Sequence, residues 1–148
     1  MAKIKENQRL KKIGYVQTPE LNHIVFSFEF WTTNAKYNFE YFKKSLRDKE
    51  KAYDELHSKL HELSGMSILE VKERSKERGA EYLPYSRFSP SFLSILNNTG
   101  IVTPDSKLMV IRICNQNYRL ICKEGVQDSK VLYLLGIDFD YSAYDHGS

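Results

Sequence analysis

From His23 to Trp31 apolar and polar residues alternate, with Ile24, Phe26, Phe28 and Phe30 on one side and Ser27 and Glu29 on the other. Period-two alternation marks a half-buried strand, and Thr32-Thr33-Asn34 ends it. From about Tyr37 the period changes. Phe39, Phe42, Leu46, Tyr53, Leu56, Leu60 and Leu63 advance by threes and fours with one polar interruption at Lys49, which predicts one amphipathic helix of roughly seven turns, closed by Gly65. Ser67-Ile68-Leu69-Glu70 has the form of a capping box, so a second helix is expected from there to Gly79, completing a helical hairpin. Gly79–Phe92 carries Pro84 and Pro90 and reads as irregular, and Ser91 to Gly100 is a candidate short helix stopped by Asn97-Asn98-Thr99-Gly100. After Pro104-Asp105 come three β-rich runs, near 107–114, 118–123 and 131–138, joined by polar turns.

Helices grouped between one early strand and a late meander argue an α+β fold, a helical hairpin packed on one face of a four-stranded, mainly antiparallel sheet. A single domain over 21–148 is expected, long enough to bury a core. Ahead of it, residues 1–20 carry Lys3, Lys5, Arg9, Lys11 and Lys12 against Glu6 and Glu20, and read as a basic flexible arm. No stretch is apolar enough to span a membrane, and the basic N-terminus lacks the apolar segment of a signal peptide, so a cytoplasmic protein is expected. With Asn115-Gln116-Asn117 as a three-residue hairpin loop, Cys114 faces Tyr118 and Cys122 faces Val110, which predicts two reduced thiols and no disulfide.

A net charge of +3 does not by itself imply a nucleic-acid partner. Its distribution is more informative, because the cations lie toward the front and middle while the end holds Asp128, Asp138, Asp140 and Asp145. The chain has no glycine-rich phosphate loop, Cys-x-x-Cys or nucleophile elbow, so no cofactor is expected. His57 and His61 share a helix face with Asp54 as the nearest third ligand, a weak metal pattern that reads better as surface histidines. Asp138 and Asp140 admit a metal-dependent nuclease reading, with no partner strand to complete it. The basic and aromatic residues of the last three runs are the better candidates. Arg119 and Lys123 share a strand face, and Arg112 lies on an otherwise apolar face where it must find an anionic or carbonyl partner or reach the sheet margin. Metal-free RNA cleavage needs a base, an acid, charge stabilisation and a stacking surface. Arg112 and Arg119 can hold a phosphate, Lys123 or His146 can move protons, and Tyr118 or Tyr144 can stack. Lys72, Arg74, Lys76 and Arg78, on the second predicted helix, add a basic face for nucleic acid.

The tail, with Arg112-Ile113, then Tyr118-Arg119-Leu120-Ile121, a polar turn, Val131-Leu-Tyr-Leu-Leu-Gly136 and Asp140-Tyr-Ser-Ala-Tyr144, resembles the closing meander of RelE/HigB-type toxins. The resemblance covers about 40 residues plus the element order. It implies a RelE-like fold, endoribonuclease activity on mRNA, free or on the ribosome, and a small acidic antitoxin as partner. Carried over onto this chain, the family's strand arginine would be Arg112, its Tyr-Arg pair Tyr118 and Arg119, and its terminal Tyr or His Tyr144 or His146. The chain departs from the pattern in its longer 79–105 segment and in Gly136-Ile137-Asp138-Phe139-Asp140, where the toxins often carry a basic stretch. The tail, with Arg74-Ser75-Lys76, also looks like an uncharacterised family of small bacterial proteins, which suggests a bacterial or mobile-element origin and assigns no activity. A non-catalytic binding protein that occupies a protein or nucleic-acid partner is the alternative.

Overall fold

A computed structural model describes residues 22–96, 99–113, 115 and 117–144. The arm at 1–20, Cys114, Asn97-Asn98, Asp145 and His146 lie outside the described residues. Strand β1 (Val25–Ser27) is followed by helix α1 (Leu46–Ser64), short helix α2 (Ile68–Glu73), β2 (Ala80–Pro84), α3 (Pro90–Leu96), β3 (Lys107–Ile113), β4 (Tyr118–Glu124) and β5 (Val131–Asp138). The strands form one sheet in the order β1-β5-β4-β3-β2, with β1 parallel to β5 and the other pairs antiparallel.

The sheet thus has five strands rather than the expected four. The addition is β2, in the segment expected to be irregular. Its Pro84 donates no hydrogen bond, but β2 is an edge strand and tolerates that loss. The helical hairpin is likewise reduced to one main helix. Asn34, Asn38 and Ser45 each accept a backbone N–H two or three residues on, from Lys36, Glu40 and Asp48, so the chain restarts three times. Two 3₁₀ turns, Ala35–Tyr37 and Phe39–Phe42, therefore occupy the start of the expected seven-turn helix. The capping box at Ser67 and Glu70 is present as expected, but α2 ends at Glu73 because Arg74 is extended, with ψ 157°. The opening alternation also breaks early. Ser27 ends β1, Phe28 is half exposed, and Phe30 packs with a different cluster from Ile24 and Phe26.

Both sheet faces are covered, where one covered face was expected. On the first, Ala52, Leu56 and Leu63 of α1 pack with Met109, Ile111, Leu120, Cys122 and Leu134. On the second, Phe92, Leu93 and Leu96 of α3, with Phe88 and Tyr144, pack on Leu108, Val110, Ile121 and Leu135. Gly136 makes the second contact possible, since a Cβ there would lie 3.0 Å from Thr32 Cγ2 and the Tyr37 carbonyl oxygen and 3.3 Å from Phe92. The β3–β4 loop has four residues rather than three, since Ile113 faces Tyr118 and Met109 faces Cys122. That shift brings Arg112 and Arg119 directly opposite each other. Cys122 is a buried free thiol whose pKa burial raises. No helix among the described residues is long and apolar enough to cross a membrane.

Candidate functional site

The register places three charged residues side by side across the second face: Arg112 on β3, Arg119 on β4 and Asp138 at the end of β5. Like charges directly opposite each other are unfavourable unless an acid or a ligand compensates them. Asp138 is fully buried and stands beside Arg119. Its carboxylate accepts the Ser142 N–H at 3.0 Å and the Ala143 N–H at 3.2 Å, which folds the chain back over the sheet. This turn holds Tyr141 at a φ of 60°, a left-handed conformation that costs a non-glycine residue on the order of 1 kcal/mol. The returning segment is fixed by Ser89 N–H donating to the Ala143 carbonyl at 2.8 Å and by the Phe88–Tyr144 bridge.

A cleft of about 460 Å³ opens there, lined by Lys76, Glu81, Arg87, Arg112, Arg119, Tyr141 and Tyr144. Its lining holds four cations and one acid, Glu81, and two further acids stand against the arginines, Asp138 beside Arg119 and Glu77 on Arg112. The Arg119 guanidinium lies 5.6 Å from the Tyr141 ring centre, and its Nη1 donates to the Tyr118 carbonyl at 3.3 Å. Arg112 also reaches Glu77 at 3.8 Å, the anionic partner its apolar face required. A hydrogen bond from its own backbone N–H holds the Glu77 carboxyl low, with Arg112 contributing. Burial raises the Tyr144 phenol above its ordinary range, partly offset by Arg119. Chemically, the cleft can hold an anion between two guanidinium groups and present an aromatic ring and a protonated phenol to it.

Of the residues singled out in the sequence, Arg112, Arg119, Tyr144 and Lys76 meet in this cleft. Lys123 shares the face of Arg119 but lies four residues along β4, about 13 Å away. It lines a second cleft of about 720 Å³ with Lys72, Tyr82 and Glu124. There its Nζ donates to the Glu124 carbonyl at 2.8 Å, Lys72 pairs with the Glu124 carboxylate at 3.5 Å, and Tyr82 donates to that carboxylate. Arg74 is bound to Glu62 at 2.6 Å, an ion pair that lowers the Glu62 carboxyl. Arg78 is exposed on the turn after α2. Tyr118 points to the first face, against Phe42 and Phe139. Asp138 serves the turn, and exposed Asp140 accepts the Ser142 hydroxyl. His57 and His61 are exposed on α1, and no group of three or more His, Cys, Asp or Glu among the described residues is arranged to hold a metal.

Arg87, Glu81 and Tyr141 were not singled out in the sequence. Arg87 and Glu81 sit in a segment whose prolines mask its strand, and only the positive φ of Tyr141 marks that residue. Comparison of the chain with protein-family models, with curated proteins and with solved structures finds no match.

Proposed function

We propose that the chain is a RelE-like endoribonuclease that cleaves mRNA without a metal ion, working in the cleft between Arg112, Arg119 and Tyr144. The observation that supports this reading is the convergence of Lys76, Arg87, Arg112 and Arg119 with Tyr141 and Tyr144 on one sheet face, which suits a phosphate with a base beside it. Helices between an early strand and a closing antiparallel meander support the RelE-like part, with β2 and α3 as additions. Arg112 and Arg119 would share the charge that builds on the phosphorane. Glu81, the acid in the cleft wall, would take the 2′-hydroxyl proton. The 2′-oxygen then bonds to phosphorus while the bond to the 5′-oxygen breaks. Tyr144, a phenol already protonated at neutral pH and raised further by burial, would give its proton to that 5′-oxygen. The products carry a 2′,3′-cyclic phosphate and a 5′-hydroxyl, and both side chains recover their protonation from water. On this reading the protein is cytoplasmic, and its partners are mRNA, free or on the ribosome, and a small acidic antitoxin.

Incubation of purified protein with mRNA, with and without ribosomes, is the test. Cyclic-phosphate ends that persist in EDTA and vanish in Arg119→Gln are expected. No cleavage in either format, with no growth arrest on induction, would remove the proposal. Glu81→Gln, Tyr144→Phe and His146→Ala separate the proton-transfer roles.

A second reading, binding without cleavage, is favoured by the Arg112–Glu77 ion pair and the Tyr141 ring over Arg119, which hold both cations in place. Pull-down from a bacterial lysate followed by nuclease treatment discriminates. An RNA-dependent complex supports the cleft as an RNA site, and a stoichiometric protein partner supports an inhibitor.

A further inference from the structure

We infer that the aromatic surface on the opposite side of the same sheet end is a stacking platform for the unpaired bases of a single-stranded RNA whose phosphate occupies the cleft. The inference rests on the RNA reading of that cleft.

Tyr118 precedes Arg119 and Phe139 follows Asp138, so alternation along β4 and past β5 puts cleft and aromatic surface back to back at one end of the sheet. The Tyr118 and Phe139 rings lie 4.9 Å apart, and Tyr41 stacks flat on Phe139 at 5.0 Å and 18°. Tyr53 stacks flat on Phe39 at 3.8 Å and 12°, and Phe39 in turn meets Phe139 at 6.2 Å. A ring that merely closes a core is covered. Tyr41 and Tyr53 are 41% and 49% exposed, each fixed in orientation by a phenylalanine beneath it. Flat, oriented and half-exposed rings are what a base stacks on, whatever its identity. Tyr141, also half exposed, lies between the two surfaces in the chain and over Arg119, giving the strand a path from cleft to platform.

Charge supports the same occupant. Between Lys36 and Glu55, on either side of Tyr41 and Tyr53, the chain carries Lys36, Lys43, Lys44, Arg47, Lys49 and Lys51 against Glu40, Asp48, Glu50, Asp54 and Glu55. Glu40 is paired with Lys49, and Asp48 accepts the Ser45 hydroxyl, while Lys43, Lys44, Arg47 and Lys51 are exposed. A phosphate backbone meets these exposed cations while its bases lie on the flat rings, whereas an acidic protein partner would meet the cations and leave the flat rings without a matching face. A duplex keeps its bases paired and stacked, so the occupant is single-stranded.

Fluorescence anisotropy with a trinucleotide of uridine, which fills only the cleft, and a single-stranded dodecamer tests this. Tyr41→Leu/Tyr53→Leu keeps the apolar packing and removes the rings. We expect dodecamer binding to weaken tenfold or more, trinucleotide binding to hold, and Tyr41→Phe/Tyr53→Phe to restore the loss. If the leucine variant binds the dodecamer like wild type while Arg119→Gln weakens both ligands, the platform is overturned and the cleft stands. If the wild-type protein binds neither RNA, both fall.

Discussion

Replacing Asp138 by alanine should destabilise the protein by about 3–5 kcal/mol, and by asparagine about half as much. Its buried carboxylate accepts two backbone N–H groups, from Ser142 and Ala143, at 3.0 and 3.2 Å. Hydrogen bonds to a charged group contribute about 1.5–3 kcal/mol each, and a buried donor left without an acceptor costs a similar amount. The alanine variant loses both acceptors and leaves Arg119, only 8% exposed, beside Arg112 with the neighbouring negative charge gone. Asparagine keeps the shape and one oxygen, so it loses about one of the two bonds. Urea unfolding followed by circular dichroism should give an unchanged slope with a lower midpoint, and melting should fall by about 10 °C for alanine. If the alanine variant stays within about 0.5 kcal/mol of wild type, a change typical of a surface site, the carboxylate does not hold the turn and the account of the cleft's roof is wrong.

Other consequences are independent of the cleft's chemistry. At Gly79 a Cβ would lie 2.4 Å from the Val71 carbonyl oxygen and 2.8 Å from the Arg74 Cβ, so Gly79→Ala should cost about 1–3 kcal/mol in urea unfolding. A cost near zero would mean that the α2–β2 corner is loose. Burial raises the Cys122 thiol well above its ordinary range, so in a Cys114→Ser background it should resist Ellman's reagent at pH 8 and react only on unfolding. Rapid native labelling would contradict that burial. Tyr82 is raised chiefly by burial and then by Glu124, so the folded state keeps a proton that the unfolded chain releases above its ordinary pKa of 10.0. Its contribution is full below pH 10 and is lost as pH rises beyond it, and Tyr82→Phe should flatten the alkaline fall in urea midpoint. An unchanged alkaline slope would refute it.

The α+β class, the closing meander and the α2 cap were legible because each is written in local periodicity or in a short capping pattern. The features that were not legible depend on how distant segments meet. Edge strand β2 contains Pro84, which argues against a strand until its edge position is known. The break before α1 is carried by Asn34, Asn38 and Ser45, whose caps interrupt an apolar spacing that otherwise continues with one polar gap at Lys49. For the site, a difference of one residue in the β3–β4 loop decided the outcome, because it brings Arg112 opposite Arg119. Lys123 has the right face and the wrong end of its strand. Arg87 enters only because the chain folds back through Phe88 and Tyr144.

On the proposed reading, Arg112 and Arg119 hold an RNA phosphate. Anisotropy titration of a single-stranded RNA across a salt series, with wild type and Arg112→Gln/Arg119→Gln, tests it most directly, once circular dichroism shows that both are folded. The wild type should bind with log K falling linearly in log salt, and the double variant should bind more weakly, with a slope shallower by about 0.7 for each phosphate that is no longer neutralised. Equal affinity and equal slope in the two proteins would contradict the claim.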